Sequence, residues 1–310
     1  MNLHPDDDQD ALVSATTDWL TRHMPLDQAR ARPAGLWRGL ADMGWTAMTA
    51  SEASSGLGLD HASEALVFAE LGRFLAPVSL LSSALAARWC DVSDRTALAL
   101  ATEGDAVRVL DGGGAGYAVA TSSDEATLIF VPTGLDFQIG LDPTTPQARL
   151  ISPDTLKTIE GPRPHRHLTL LAAAFGVGVA DAARDMAADY AKLREQFGKP
   201  IGSFQGVKHP CADMAVRCAV ARSQLCYAAC ALDEGAPDAG FHVAAAKRLA
   251  DLAALDNARA NIQVHGGVGM TDAASPHLLL KRAHVLHFIA PIDPLGLIGG
   301  DVGQNGASRD

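Results

Sequence analysis

Aromatic residues are scarce in this chain, 5% of its 310 residues, and all four tryptophans (Trp19, Trp37, Trp45, Trp89) lie in the first third. Nothing beyond them offers an indole to stack on a planar ligand. Positive charge is short as well. With 25 Lys+Arg against 36 Asp+Glu the net charge is −11, which excludes nucleic acid as the main partner while leaving room for a local basic pocket. No apolar run matches a membrane span, and the longest, Leu168 to Ala180, falls well short. The opening MNLHPDDDQD has no basic stretch leading into an apolar one, so a soluble, cytoplasmic chain without a secretory signal is expected. The five cysteines are odd in number and form no CxxC pair, and Cys211, Cys218, Cys226 and Cys230 step along one predicted helix. That spacing fits helix-face packing, and a metal centre is not expected.

What is present divides into three textures. The composition, 48% hydrophobic and 20% charged, is globular, and the length allows two or three packed sub-domains. Residues 1–95 are helical in pattern: Leu12, Trp19 and Leu20, then Leu36, Leu40 and Trp45, then Ala65, Leu66, Ala69 and Leu71 recur at helical spacing. Turn segments Pro33-Ala-Gly35 and Ser54-Ser-Gly-Leu-Gly58 separate them. Residues 96–163 carry short β-rich runs at 106–110, 117–121 and 127–131, which predict a small β module. Its Gly112-Gly-Gly-Ala-Gly116 stretch leads into a strand rather than a helix, so it reads as a hairpin turn and not as a phosphate loop.

Residues 164–290 are helical again and rich in alanine. One helix runs to about Phe197 and is closed by Gly198-Lys-Pro200 as a capping glycine and a stopping proline. A second follows the N-cap candidate Ser203 to about Leu232, with Pro210 as an early kink. A third covers about Phe241 to Val264, and a short fourth follows Ser275-Pro276. Short loops between long helices imply an antiparallel bundle, in which Ala172, Ala173, Gly176 and Gly178 permit close contact. Residues 291–310 read as an irregular tail. The fold class is α+β, mainly α.

The segment Arg194-Glu-Gln-Phe-Gly-Lys-Pro-Ile-Gly-Ser-Phe-Gln205 resembles the flavin-binding helix end of the acyl-CoA dehydrogenase family, and so does Gln263-Val-His-Gly-Gly-Val-Gly269. Ser54-Ser-Gly-Leu-Gly-Leu59, Glu70-Leu-Gly72 and Leu280-Lys-Arg-Ala283 support the match, as does the α, β, α order. The resemblance implies an N-terminal helical domain, a truncated middle β domain and a C-terminal antiparallel helix bundle. It also implies FAD as cofactor, reached from a neighbouring subunit. Arg194, Gln205, Gln263, Gly266 and Gly267 would contact its phosphates or adenosine ribose, and Phe197 would pack beside it. The chemistry suits the role: a helix-end arginine makes charge-assisted bonds to a pyrophosphate, while glutamine amides and a glycine turn supply neutral donors and close backbone approach. The bland alternative is a solvated arginine and glycines that merely cap helices.

The same resemblance shows what is missing. The family needs a carboxylate to take the α-proton of a thioester. In most members it is a Glu in the loop after the segment matched by Leu280–Ala283; here that loop reads His287-Phe-Ile-Ala-Pro-Ile292, with Ala290 in the Glu position. In others the base lies near the start of the first bundle helix, which falls near Leu168 within His165-Arg-His-Leu-Thr169, and no carboxylate is there. The middle domain also lacks the family's ring-holding strand motifs. His165 and His167 read as a solvated, arginine-flanked helix entry, rather than as metal ligands or a base.

No catalytic or metal-binding residue is therefore expected in this chain. It is similar to the shorter subunit of heteromeric (α2β2) acyl-CoA dehydrogenases of lipid and steroid degradation. That implies a full-length paralogue supplying the catalytic Glu, an acyl-CoA substrate with a bulky sterol side chain, and electron-transfer flavoprotein as acceptor. Two alternatives stay open: a self-sufficient homo-oligomeric flavoenzyme using His165 or Glu160 as base, and a non-catalytic scaffold that has lost FAD.

Overall fold

A computed structural model describes residues 3–33, 35–102 and 105–292. The first helix, α1 (Asp7–His23), starts at a capping box in which Asp6 accepts from the Gln9 backbone and Gln9 accepts from that of Asp6. Asp7, Asp8 and Asp10 in its first turn complement the helix dipole. The acidic N-terminus of the sequence is thus a helix start. Helices α2 (Leu36–Asp42), α3 (His61–Arg73) and α4 (Ser79–Leu85) complete the N-terminal domain, with a π turn at Ala86–Cys90 leading out of it. Trp19 meets Trp45 edge-on at 5.2 Å, and α3 is buried on nearly every side.

Helix α3 lies against α5 (Arg163–Leu193), the first and longest bundle helix, and two glycines explain how close the contact is. A Cβ on Gly178 would run into the Ala69 carbonyl, and one on Gly72 into the Phe175 carbonyl. The expected role of Gly176 and Gly178 is met, with Gly176 turned instead to Ala250 of α7. The bundle continues with α6 (Gln205–Asp233), α7 (Ala239–His265) and α8 (Pro276–Phe288). Cys90 and Cys218 are buried, the other cysteines half-buried, and none of the five is in a disulfide. Burial pushes the Cys218 thiol up to about 12, and its sulfur contacts Asn257.

Between the helical parts lies one six-stranded sheet: β1 (Thr96–Ala101), β2 (Ala106–Leu110), β3 (Tyr117–Thr121), β4 (Glu125–Phe130), β5 (Gln147–Ile151) and β6 (Thr155–Glu160). Their order is β5-β2-β1-β3-β4-β6, with β1 antiparallel to β2 and parallel to β3. This corrects the hairpin reading of Gly112–Gly116. Strands β2 and β3 sit on opposite sides of β1, so the glycine-rich stretch is a crossover past the end of β1 and joins no paired strands.

Two bundle boundaries also differ from expectation. Helix α5 stops at Leu193, and the chain turns through a two-residue hairpin between β7 (Glu195–Gln196) and β8 (Lys199–Pro200). Phe197 (φ 54°) and Gly198 (φ 78°) form its tip, both in the left-handed region that a tight hairpin demands. Gly198 is therefore a turn glycine and not a helix cap. Helix α6 begins after Phe204, so Ser203 is not its N-cap, and it continues through Pro210. The tail reading beyond residue 292 lies outside the described residues.

Candidate functional site

The helices of the bundle alternate in direction, which puts the end of α5, the start of α6 and the end of α7 together. Tyr190 of α5 stacks on His265 of α7 at 4.1 Å, and Gly202, just before α6, sits against the Ala191 backbone. All six residues expected to contact a cofactor are thereby gathered at one end, and all are exposed. The Arg194 guanidinium and the Gln205 and Gln263 amides have no hydrogen-bond partner among the described residues. Gly266 takes φ 65°, which requires glycine; a Cβ on Gly267 would meet nothing, so no atom of this chain demands glycine there. Phe197 is 92% exposed, although its backbone is held in an unfavourable region for a bulky residue. The uncapped N-terminus of α6 adds open backbone donors. This end of the molecule has the donors and the free surface that a dinucleotide pyrophosphate needs, and FAD fits the residues present.

A second feature lies between the sheet and α8. A cavity of about 470 Å³ is lined by Leu100, Leu110, Leu141, Val285, Phe288 and Pro291 on its apolar side, with Arg108 and His284 among its polar groups. Its one lining carboxylate among the described residues, Asp142, is fully committed. Arg282 Nε donates to Asp142 Oδ2 at 2.7 Å, Thr144 donates through both its backbone and hydroxyl to Oδ1, and Thr145 donates to Oδ2. Burial works against ionisation of Asp142, but Arg282 and these bonds hold it below the usual carboxylate range. A group in that state is a poor proton acceptor. Arg282, itself fully buried, also donates to Ala76 O and Thr144 Oγ1, so it ties α8 to both the sheet and the N-terminal domain. Ala290 is buried at φ 47°, immediately after α8. Glu160 is exposed on β6, His165 pairs with Thr121 Oγ1 at 3.1 Å, and neither lines the cavity.

The reading of His167 as solvated is overturned. It is 1% exposed, and its Nε2 lies 2.7 Å from Glu64 Oε2 on α3. Thr49 Oγ1 donates to the other Glu64 oxygen, and Trp89 Nε1 donates to His167 Nδ1 at 3.2 Å. His61, one turn before Glu64, has its Nδ1 3.7 Å from Glu64 Oε2 and makes no hydrogen bond there. Sequence reasoning missed His61 and Glu64. An H-x-x-E spacing on one helix face was the available signal, but its partner comes from about a hundred positions later, and only the α3–α5 contact joins them.

Helical, sheet and bundle units follow one another in the order that the family resemblance implies. Residues 6–90 match the family model described as the acyl-CoA dehydrogenase N-terminal domain, and residues 167–290 match that of the C-terminal domain. The chain is similar to acyl-CoA dehydrogenase IpdE2 of Mycobacterium tuberculosis, with 32% identity over 91% of this chain and 92% of that one. Its fold matches the ChsE4-ChsE5 complex of Mycobacterium tuberculosis (TM-score 0.78, 22% identity, 99% of this chain and 100% of that one). It also matches the Tcur3481-Tcur3483 steroid ACAD (TM-score 0.78, 22% identity, 96% and 97%). The chain belongs to the acyl-CoA dehydrogenase family, whose cofactor is FAD.

Proposed function

We propose that this chain is the shorter subunit of a hetero-oligomeric, FAD-dependent acyl-CoA dehydrogenase, α2β2 in composition. In this reading a full-length paralogue holds the flavin ring and supplies the catalytic glutamate. The observation that carries it is a division of labour within one chain: an outward-facing set of unpartnered cofactor donors, and a cavity whose only carboxylate among the described residues is bound by Arg282. Similarity of fold to a two-protein complex and to a steroid ACAD supports both the partner and a bulky sterol side-chain thioester as substrate. Electron-transfer flavoprotein is the acceptor, and the assembly is cytoplasmic.

FAD, when bound, accepts the β-hydride of the thioester. Arg194 holds the cofactor's negative charge, Gln205 and Gln263 donate to its phosphates or ribose, and the Gly266–Gly267 backbone allows close approach. Phe197 gives an apolar cover to the dinucleotide, which accounts for an aromatic ring left in water by this chain alone. Arg194→Ala in the assembled complex should weaken FAD binding by about 1.5–3 kcal/mol, the range for hydrogen bonds to charged groups, with folding unchanged. Flavin absorbance per subunit after dilution reads this directly, and wild-type retention would remove Arg194 from the site. The experiment that tests the whole reading is the flavin content and turnover of the chain with and without its paralogue. A flavin-free complex that still assembles would instead identify a scaffold.

A further inference from the structure

The buried His61, Glu64 and His167 side chains offer three ligand atoms within 4.8 Å of one another, a spacing that a divalent cation can bridge. The tautomer of His167 argues against a cation. An indole N–H only donates, so the bond from Trp89 makes His167 Nδ1 an acceptor and places the ring's single proton on Nε2, facing Glu64. A metal would need Nε2 bare, and a ligating histidine normally donates through its other nitrogen. Here that nitrogen is already receiving a proton donor.

The geometry points to a different ligand, a proton. We propose that Trp89, His167 and Glu64 form a proton-operated latch joining the Ala86–Cys90 turn to α5 and α3, closed while His167 is neutral and opened by a second proton on its ring. In the closed state one N–H···N bond and one N–H···O bond run through the ring in the same direction. The second proton must go to Nδ1. It then faces the Trp89 N–H across 3.2 Å, donor against donor with no acceptor between them, and the indole has to turn away. Trp89 is half-buried and has room to do so. Beyond it Lys157 Nζ reaches Cys90 O and Asp91 Oδ2, so the turn that would be released is the one that carries the chain into the sheet.

Every charged or titratable group facing the ring bears on the sign. Burial, the Arg88 guanidinium of the turn and any proton taken up by His61 of α3 disfavour a second proton, whereas Glu64 of α3 favours it. Asp233 of α6 caps the His61 and Ala62 amides at the start of α3, one step further out. The net effect places the His167 pKa below its ordinary ~6.5. The folded state therefore binds fewer protons than the unfolded one below ~6.5. The latch's contribution to stability is complete above that pH and is lost as pH falls towards the folded value. Protonation of His61 would set a cation beside Glu64 and leave the Trp89 bond intact, so the two rings are separable.

The test uses the full chain labelled with 5-fluorotryptophan and followed by fluorine NMR from pH 8 to 5, with the Trp89 signal assigned by its loss in Trp89→Phe. The expected result is a one-proton titration of Trp89, with a midpoint below 6.5, while Trp37 and Trp45 stay still; Trp19, whose ring lies 4.5 Å from that of His23, is not used as a reference. His167→Gln, whose amide can both donate to Glu64 and accept from Trp89 without titrating, should abolish the change, and His61→Gln should leave it. A flat Trp89 signal, one that moves only together with Trp37 and Trp45, or one unaffected by His167→Gln would overturn the latch. So would about one equivalent of divalent metal in the purified wild-type chain that His167→Gln removes.

Discussion

Purified alone, the chain should carry far less than one FAD per monomer and show no measurable acyl-CoA oxidation; purified with a full-length paralogue, the same chain should be yellow and active. The expected difference is the whole of the activity, because two requirements fail at once in the lone chain. Its cofactor donors at the bundle end face outwards, and its cavity carboxylate Asp142 is held by Arg282, Thr144 and Thr145 in a state that accepts protons poorly. A base without a positioned hydride acceptor has nothing to work with. For that reason Ala290→Glu, which restores a carboxylate after α8, should not make the lone chain active, while replacement of the partner's glutamate should abolish turnover of the complex. Flavin absorbance, subunit stoichiometry and turnover decide the matter together. An active, flavin-loaded homo-oligomer would show that a base within this chain suffices. Recovery of turnover by Ala290→Glu in a complex whose partner base has been removed would show a complete substrate pocket here, with flavin in reach.

Loss of Arg282 should be the most damaging of the single substitutions considered for the fold itself. Arg282→Leu would leave the Asp142 carboxylate buried without its cation, and breaking a buried pair from one side costs about 3–5 kcal/mol. The same change removes a donor from Ala76 O and from Thr144 Oγ1, so α8 would lose its ties to both neighbouring domains. Denaturant unfolding should show the loss, and the double variant Arg282→Leu/Asp142→Asn should recover a good part of it, since no charge is then stranded. If the two substitutions instead add without recovery, the ion pair is not the source of the effect.

What the sequence disclosed and what it hid divide along the range of the interactions. The turns at the bundle end were marked in the sequence because their constraints are local: Gly198 at φ 78° and Gly266 at φ 65° need their residue type whatever the rest of the chain does, although Gly198 was read as a helix cap and closes a hairpin instead. The helices of the bundle were legible from their apolar spacing. Strand β1 was not, since Thr-Ala-Leu-Ala-Leu-Ala is built largely from helix-favouring residues and becomes a strand through its place between β2 and β3, buried on both faces. The Gly112–Gly116 turn was misread for a related reason, as a glycine-rich loop does not say which strand its exit will pair with. His167 was read from its immediate neighbours Arg163 and Arg166, while its actual surroundings are Glu64 and Trp89, set by the packing of α5 on the first domain. The close approach that makes this possible depends on Gly72 and Gly178, where an added methyl would strike backbone.

The sheet has one consequence for motion. Strand β6 pairs only with β4, through a register shift at Leu128 and Ile129, and five of its six residues are exposed. Strand β1, by contrast, is flanked on both sides and mostly buried. Opening β6 therefore uncovers little apolar surface and sacrifices a single ladder, so its amides should exchange with solvent many-fold faster than those of β1. Equal protection of the two strands in a deuterium-exchange experiment would contradict this. The outer margin of the sheet at β6 should then open more readily than the sheet's centre.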